Sequence, residues 1–285
     1  MKKSIVVACL VLLGQYLAGC TYVVSNTASS FGENLSSAML NQDDPEIVRA
    51  GMPSYILLLD SFLQGEENNP AILQSAATMY ASYGSVFADQ PERAKRLTRR
   101  GREYAEQAMC LQHAESCGWG DLPYDEFADS LIELDKKLAE SLYTYGFAQL
   151  AYIRAHADDW NALAKLPQAE AVMTHYIEIS GSAARSSAYN YLGILKTIRP
   201  PALGGKQQEA MDDFDAAIDG SQGKDLSPKL EMLKGIARML YDRDLNDRLC
   251  EEILVADPYA DGFTLTNVMA QQEAATLCAT ADDYF

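Results

Sequence analysis

From about residue 45 to residue 280, apolar residues recur at threes and fours in one segment after another. That is the period of a single helix face, and no segment shows the strict alternation of a half-buried strand. β-branched residues are sparse. A chain patterned in this way has to bury helix against helix, so the expected class is all-α. Punctuation sharpens the segments. Asp44 is placed to cap a helix that has Pro45 in its first turn, and Pro70 and Pro91 open the next two. Val48, Met52, Tyr55, Leu59 and Phe62 mark one face of the first, where Pro53 predicts a kink or an early break. Further helices are expected near 124–135, 138–157, 167–180, 185–198, 206–219, 227–241, 243–256 and 263–280, ten to twelve in all.

Many short helices joined by turns raise the question of repeats. The best unit is 189–217. Tyr189-x2-Leu192-Gly193 matches the first helix of a tetratricopeptide repeat, and Ala210-x3-Phe214-x2-Ala217 matches the second. A small residue lets two helices approach, and an aromatic ring fills the gap beside it. Weaker copies are Leu73-x2-Ala76-Ala77-x2-Tyr80, Leu142-x2-Tyr145-Gly146 with Ala169-x3-Met173-x2-Tyr176, and a last one ending at Ile253-Leu254-x2-Asp257-Pro258. The spacing is irregular, and Arg199-Pro200-Pro201-Ala202-Leu203-Gly204-Gly205 forms an insert that two prolines and two glycines keep from being helical. The architecture expected is an irregular tetratricopeptide-like solenoid; the alternative is a non-repetitive helical bundle.

The N-terminus speaks to location. Met1-Lys2-Lys3 is a basic n-region, Ile5 to Leu13 an apolar run too short to span a bilayer, and Leu17-Ala18-Gly19-Cys20 resembles a bacterial lipobox. This predicts a signal peptide over 1–19, lipidation of Cys20, a Ser/Asn/Thr-rich tether over 20–44 with one short helix near 31–40, and a helical domain over 45–285. Thr21 in place of Asp favours the outer membrane, with the protein facing the periplasm. The net charge of −17, from 23 basic and 40 acidic residues, repels phosphate backbones and argues against nucleic acid.

An oxidising compartment permits disulfides. Cys110 and Cys117 are the favoured pair, with packed thiols or a metal site including His113 as the other readings. Cys250 and Cys278 lie in apolar stretches and are expected as unpaired core residues. No catalytic constellation holds up. His113, His156 and His175 stand far apart, no H-E-x-x-H, G-x-S-x-G or P-loop pattern occurs, and Asp242-x-Asp244-x-Asn246 lacks the glycine and closing glutamate of a calcium loop. No enzyme activity, metal or cofactor is expected.

Several segments taken together resemble one family. They are Asp43-Asp44-Pro45-Glu46-Ile47-Val48-Arg49, Pro91-Glu92-Arg93-Ala94-Lys95-Arg96-Leu97, Asp158-Asp159-Trp160-Asn161-Ala162, Pro200-Pro201-Ala202-Leu203-Gly204-Gly205-Lys206 and Thr280-Ala281-Asp282-Asp283-Tyr284-Phe285. The likeness is to the TatT proteins, tetratricopeptide-containing lipoproteins associated with TRAP transporters, and it extends over nearly the whole chain after Cys20. It implies a partner and not a reaction: the periplasmic solute-binding protein, or P component, of an ion-driven transporter. It further implies homo-oligomers, a trimer being the expected form, and a route for a small organic acid or hydrophobic ligand through the helices. Ligand or pore residues are then sought at Trp160 and Asn161, as a plug or a lining, and at Lys196, Arg199, Pro200 and Gly204, as a basic pocket or a loop shaping a mouth. The competing function is a scaffold lipoprotein in outer-membrane or cell-wall assembly.

Overall fold

The computed structural model describes residues 34–65 and 68–285. The expected signal peptide, Cys20 and most of the expected tether lie outside the described residues. Within them the chain is helical, with no strand.

A helical stretch, α1, is described over 34–40. It is followed by α2 (Pro45–Gly65), α3 (Pro70–Val86), α4 (Pro91–Gln112), α5 (Tyr124–Leu131), α6 (Ala139–Ala155), the single turn α7 (Trp160–Leu163), α8 (Leu166–Ser180), α9 (Ser186–Thr197), α10 (Gln207–Gly220), α11 (Ser227–Met232), α12 (Arg243–Val255), α13 (Thr264–Ala279) and the terminal turn α14 (Ala281–Tyr284). The helix starts obey the local chemistry. Asp44 Oδ1 accepts the amide of Glu46 at 2.9 Å, and Asn69 Oδ1 accepts those of Ala71 and Ile72 ahead of α3. Two expectations are corrected. Pro53 does not end its helix, because α2 runs on to Gly65. The insert is not wholly irregular: Pro201–Leu203 forms one 3-10 turn, since a proline at the first position of a turn loses no hydrogen bond.

The helices pack in pairs, α3 with α4, α6 with α8 and α9 with α10, and the second helix of each pair also meets the first helix of the next. Small residues permit the approach. A Cβ on Gly193 would lie 2.5 Å from the Phe214 ring, one on Gly146 2.6 Å from Met173 Cε, and one on Gly101 2.9 Å from the Ala81 amide nitrogen. The chain is thus a helical solenoid built from the pattern read at 142–176 and 189–217.

The solenoid closes on itself. The helices α2, α3, α6, α9, α11 and α13 each touch the next, and α13 returns to α2. Leu265 of α13 joins Val48, Met52 and Ile56 of α2 and Tyr80 and Tyr83 of α3 in one apolar cluster. Beside it, Asn41 Nδ2 donates to Asp261 at 3.0 Å and Asn41 Oδ1 accepts the Gly262 amide at 2.7 Å. The partners α4, α8, α10 and α12 sit behind this ring of first helices.

Two disulfides fasten the structure. One joins Cys110 to Cys117. The other joins Cys250 of α12 to Cys278 of α13, which corrects the expectation of unpaired packed cysteines. Twenty-eight residues separate these two in sequence, but α12 and α13 pack against each other and set the Cα atoms 5.9 Å apart, within bonding range.

Candidate functional site

The first helices carry a continuous run of side chains from helix to helix. On α6, Tyr143 and Phe147 are one turn apart and meet Tyr191 of α9, with ring centroids 5.9 and 5.3 Å away. Tyr143 also faces Tyr176 at 5.1 Å and shares a 2.6 Å hydrogen bond with Ser187. The Arg185 guanidinium lies 4.4 Å over the Tyr143 ring and ion-pairs with Glu140. Burial, then the neighbouring Tyr143, raises the Tyr191 hydroxyl well above its ordinary range, so it stays protonated and able to donate.

Two turns beyond Phe147, the run becomes ionic. Arg154 of α6 reaches Glu231 of α11 at 3.2 Å. Lys234, in the π-helical turn Leu233–Arg238 that continues α11, lies 3.5 Å from Glu231 and 2.7 Å from Glu273 of α13. Burial pushes the Glu231 carboxyl up, but Arg154 and Lys234 outweigh it and hold the group below its usual range. Gly235 lets this turn pack closely against Thr197 of α9, where a Cβ would fall 2.7 Å from Oγ1. This run offers an aromatic surface at one end and paired charges at the other. Such a mixture suits a ligand with an apolar body and an acidic group.

A concavity lies on the other side of α6. It has a volume of about 390 Å³, between α4, α6, the start of α8 and the loop 113–122. The Cys110–Cys117 bond straps that loop to the end of α4, so the two cysteines cannot be metal-binding thiolates. The strap buries Trp119 against Phe127 and Tyr145, with centroids 5.2 and 5.4 Å apart. Lys165 donates to the Gly120 carbonyl at 2.6 Å. Glu106 accepts from Gln149 at 3.1 Å and lies 3.3 Å from Arg102; burial still raises its carboxyl above the ordinary value. Among the described residues no group of three or more histidine, cysteine or acidic side chains could hold a metal.

The residues singled out from sequence lie elsewhere and in two places. Trp160 is 72% exposed at the start of α7, so it is neither a plug nor the lining of a closed path, and Asn161 is exposed beside it. The physical reason is that the turn is anchored by Ala162, which is buried, while Asp159 caps the Asn161 amide at 2.8 Å and leaves both side chains facing outward. Lys196 is spoken for: it ion-pairs with Asp213 of α10 at 2.6 Å and approaches Glu209 at 3.7 Å, so it braces α9 against α10 and does not form a basic pocket. Pro200, Arg199 and Gly204 close the α9–α10 corner. The Pro200 carbonyl accepts from Gly205, the Arg199 carbonyl accepts from Gln207, and Gly204 holds φ +85 with the Arg199 guanidinium 3.8 Å from where its Cβ would be. No hydrogen bond or ion pair among the described residues joins Trp160 to this corner.

Tyr143, Phe147, Tyr191, Arg154 and Glu231 were missed from sequence. The available signal was the i, i+4 pair Tyr143 and Phe147, which stands off the face of α6 marked by Leu142, Tyr145 and Gly146.

A family model described as TAtT, TRAP transporter T-component, matches residues 41–285. No curated protein matches the chain. The match takes in nearly all of the described structure, and the chain belongs to the TRAP transporter T-component family.

Proposed function

We propose that this T-component family member is a lipid-anchored periplasmic accessory protein that binds the solute-binding P component of its TRAP transporter and passes a small organic acid or a hydrophobic ligand to it. The observation that carries this reading is the family match over 41–285, which spans every helix from α2 to α14. The chemistry of the first-helix run supports the ligand class. Tyr143, Phe147 and Tyr191 provide an apolar surface, and Arg154 and Lys234 stand where a ligand carboxylate could exchange with Glu231 or Glu273. The protein acts in this reading by binding and not by catalysis. The anchor is the acylated Cys20, with residues 1–19 removed and 20–44 as tether, the outer membrane as the site of attachment, and trimers as the working form. Among the described residues no helix is long and apolar enough to cross a membrane.

The test is crosslinking in intact cells, followed by purification of the tagged protein and mass spectrometry of its partners. Recovery of a periplasmic solute-binding protein is the expected result. Recovery of only β-barrel assembly factors or cell-wall enzymes would replace this reading with the scaffold one.

A further inference from the structure

Of the 21 basic residues described, twelve are answered by an acid. Arg49, Lys95, Arg100, Arg102, Arg154, Arg185, Lys196, Lys206, Lys229, Lys234, Arg243 and Arg248 each have a carboxylate within 4.0 Å. Of the other nine, three arginines lie together on the first turns of α4. Arg93, Arg96 and Arg99 have no ion-pair partner among the described residues, although acids outnumber bases by 40 to 23. Arg93 lies 5.0 Å over the Tyr83 ring, Arg99 touches His156 at 3.5 Å, and Arg96 and Arg99 are exposed. At spacings of three they share one side of the helix.

The loop carrying Trp160 is fixed to this same part of α4. Lys95 Nζ lies 2.7 Å from Asp158, Arg99 meets His156, and Asp159 caps α7. The more exposed of the chain's two tryptophans is therefore held on a capped turn whose loop is fixed to Lys95 and Arg99, on the same turns of α4 as Arg93 and Arg96. Tryptophan and arginine dominate binding hot spots, and a preordered anchor loses little entropy on docking.

We propose that Arg93, Arg96 and Arg99 of α4, with Trp160, form the docking surface for a soluble partner protein that presents an acidic patch around an apolar pocket. Its occupant is the solute-binding protein, so the assignment rests on the function proposed above. A protein is favoured over an anionic bilayer because the arginines are interleaved with Glu92 and Asp158, a mixed-sign pattern that sets register against a complementary surface.

The experiment titrates the purified cognate solute-binding protein into the full chain at low and high salt. The variants are Arg96→Glu with Arg99→Glu, Trp160→Ala, and Arg248→Glu as a distant control, with circular dichroism to confirm folding. The expected result is that wild type binds, that salt weakens binding, that the α4 double variant and Trp160→Ala each lose about tenfold or more, and that the control stays within about twofold. Wild-type binding that all variants retain would overturn the docking surface and leave the function standing. Failure of the wild type to bind would overturn the function, and the surface with it. Loss by the double variant of binding to vesicles containing phosphatidylglycerol, or of self-association in sedimentation, with its affinity for the solute-binding protein intact, would assign the surface to a membrane or to a second copy and overturn the proposal.

Discussion

Glu231 and Glu106 are both largely sheltered carboxylates between helices, one on the ring of first helices and one behind it, and they are treated in opposite ways. Glu231 has Arg154 and Lys234 at 3.2 and 3.5 Å, and its carboxyl is held below the ordinary range. Glu106 has one arginine at 3.3 Å and an amide, and burial wins, holding its carboxyl above that range. The same contrast extends to cations. Arg154 and Lys234 on the ring are ion-paired, whereas Arg93, Arg96 and Arg99 on the outer helix α4 are not. The ring settles its charges internally because neighbouring helices have to be held in register there. The outer side of α4 leaves charge unsettled, and that is the side with something to offer a partner.

The contrast can be broken most forcefully at Glu231. Glu231→Ala leaves Arg154 and Lys234 facing each other without their shared acid, and is expected to cost about 3 kcal/mol in urea unfolding. A loss below about 1 kcal/mol would mean that the ring network holds nothing in place. Next in size is the strap over the outer concavity. Cys110→Ala with Cys117→Ala removes a closed loop of about eight residues, worth roughly 2.5 kcal/mol in the chain-entropy estimate. Exchange at Trp119 and Gly120 should rise with it, while exchange across α9 and α10 should not.

The two carboxylates also predict opposite pH dependences. Glu231 has a lowered folded-state pKa, so its contribution is present above the unfolded value and is lost as pH falls through the folded one; Glu231→Gln removes that acid loss. Glu106 has a raised pKa, so its contribution is present at low pH and is lost as pH rises, and Glu106→Gln should steepen the decline in acid relative to neutral pH. Stability profiles of the two variants bending the same way would break the comparison. The smallest effect is expected at the arginines themselves. Arg96→Ala with Arg99→Ala should change unfolding free energy by no more than about 0.5 kcal/mol, because no internal ion pair is lost.

The helices were legible because their determinants are local. Proline and cap residues mark their starts, and the Gly193–Phe214 and Gly146–Met173 contacts follow from a spacing that any reader of the chain can find. Closure of the ring was not legible, because Leu265 meets α2 across more than two hundred residues and neither segment carries a mark of the other. The Cys250–Cys278 bond was hidden for the same reason: it depends on how α12 and α13 face each other. Lys196 looked like an available cation until α10 brought Asp213 against it. Trp160 looked like a plug, since an aromatic ring is more often inside than out, and only the buried Ala162 shows which way its turn faces.

Hydrogen exchange of the full chain, with and without the cognate solute-binding protein, tests the central claim most directly. The account predicts slowed exchange over the first turns of α4 and over α7, with α12 unchanged. Slowed exchange confined to the α9–α10 corner, or none anywhere, would contradict it.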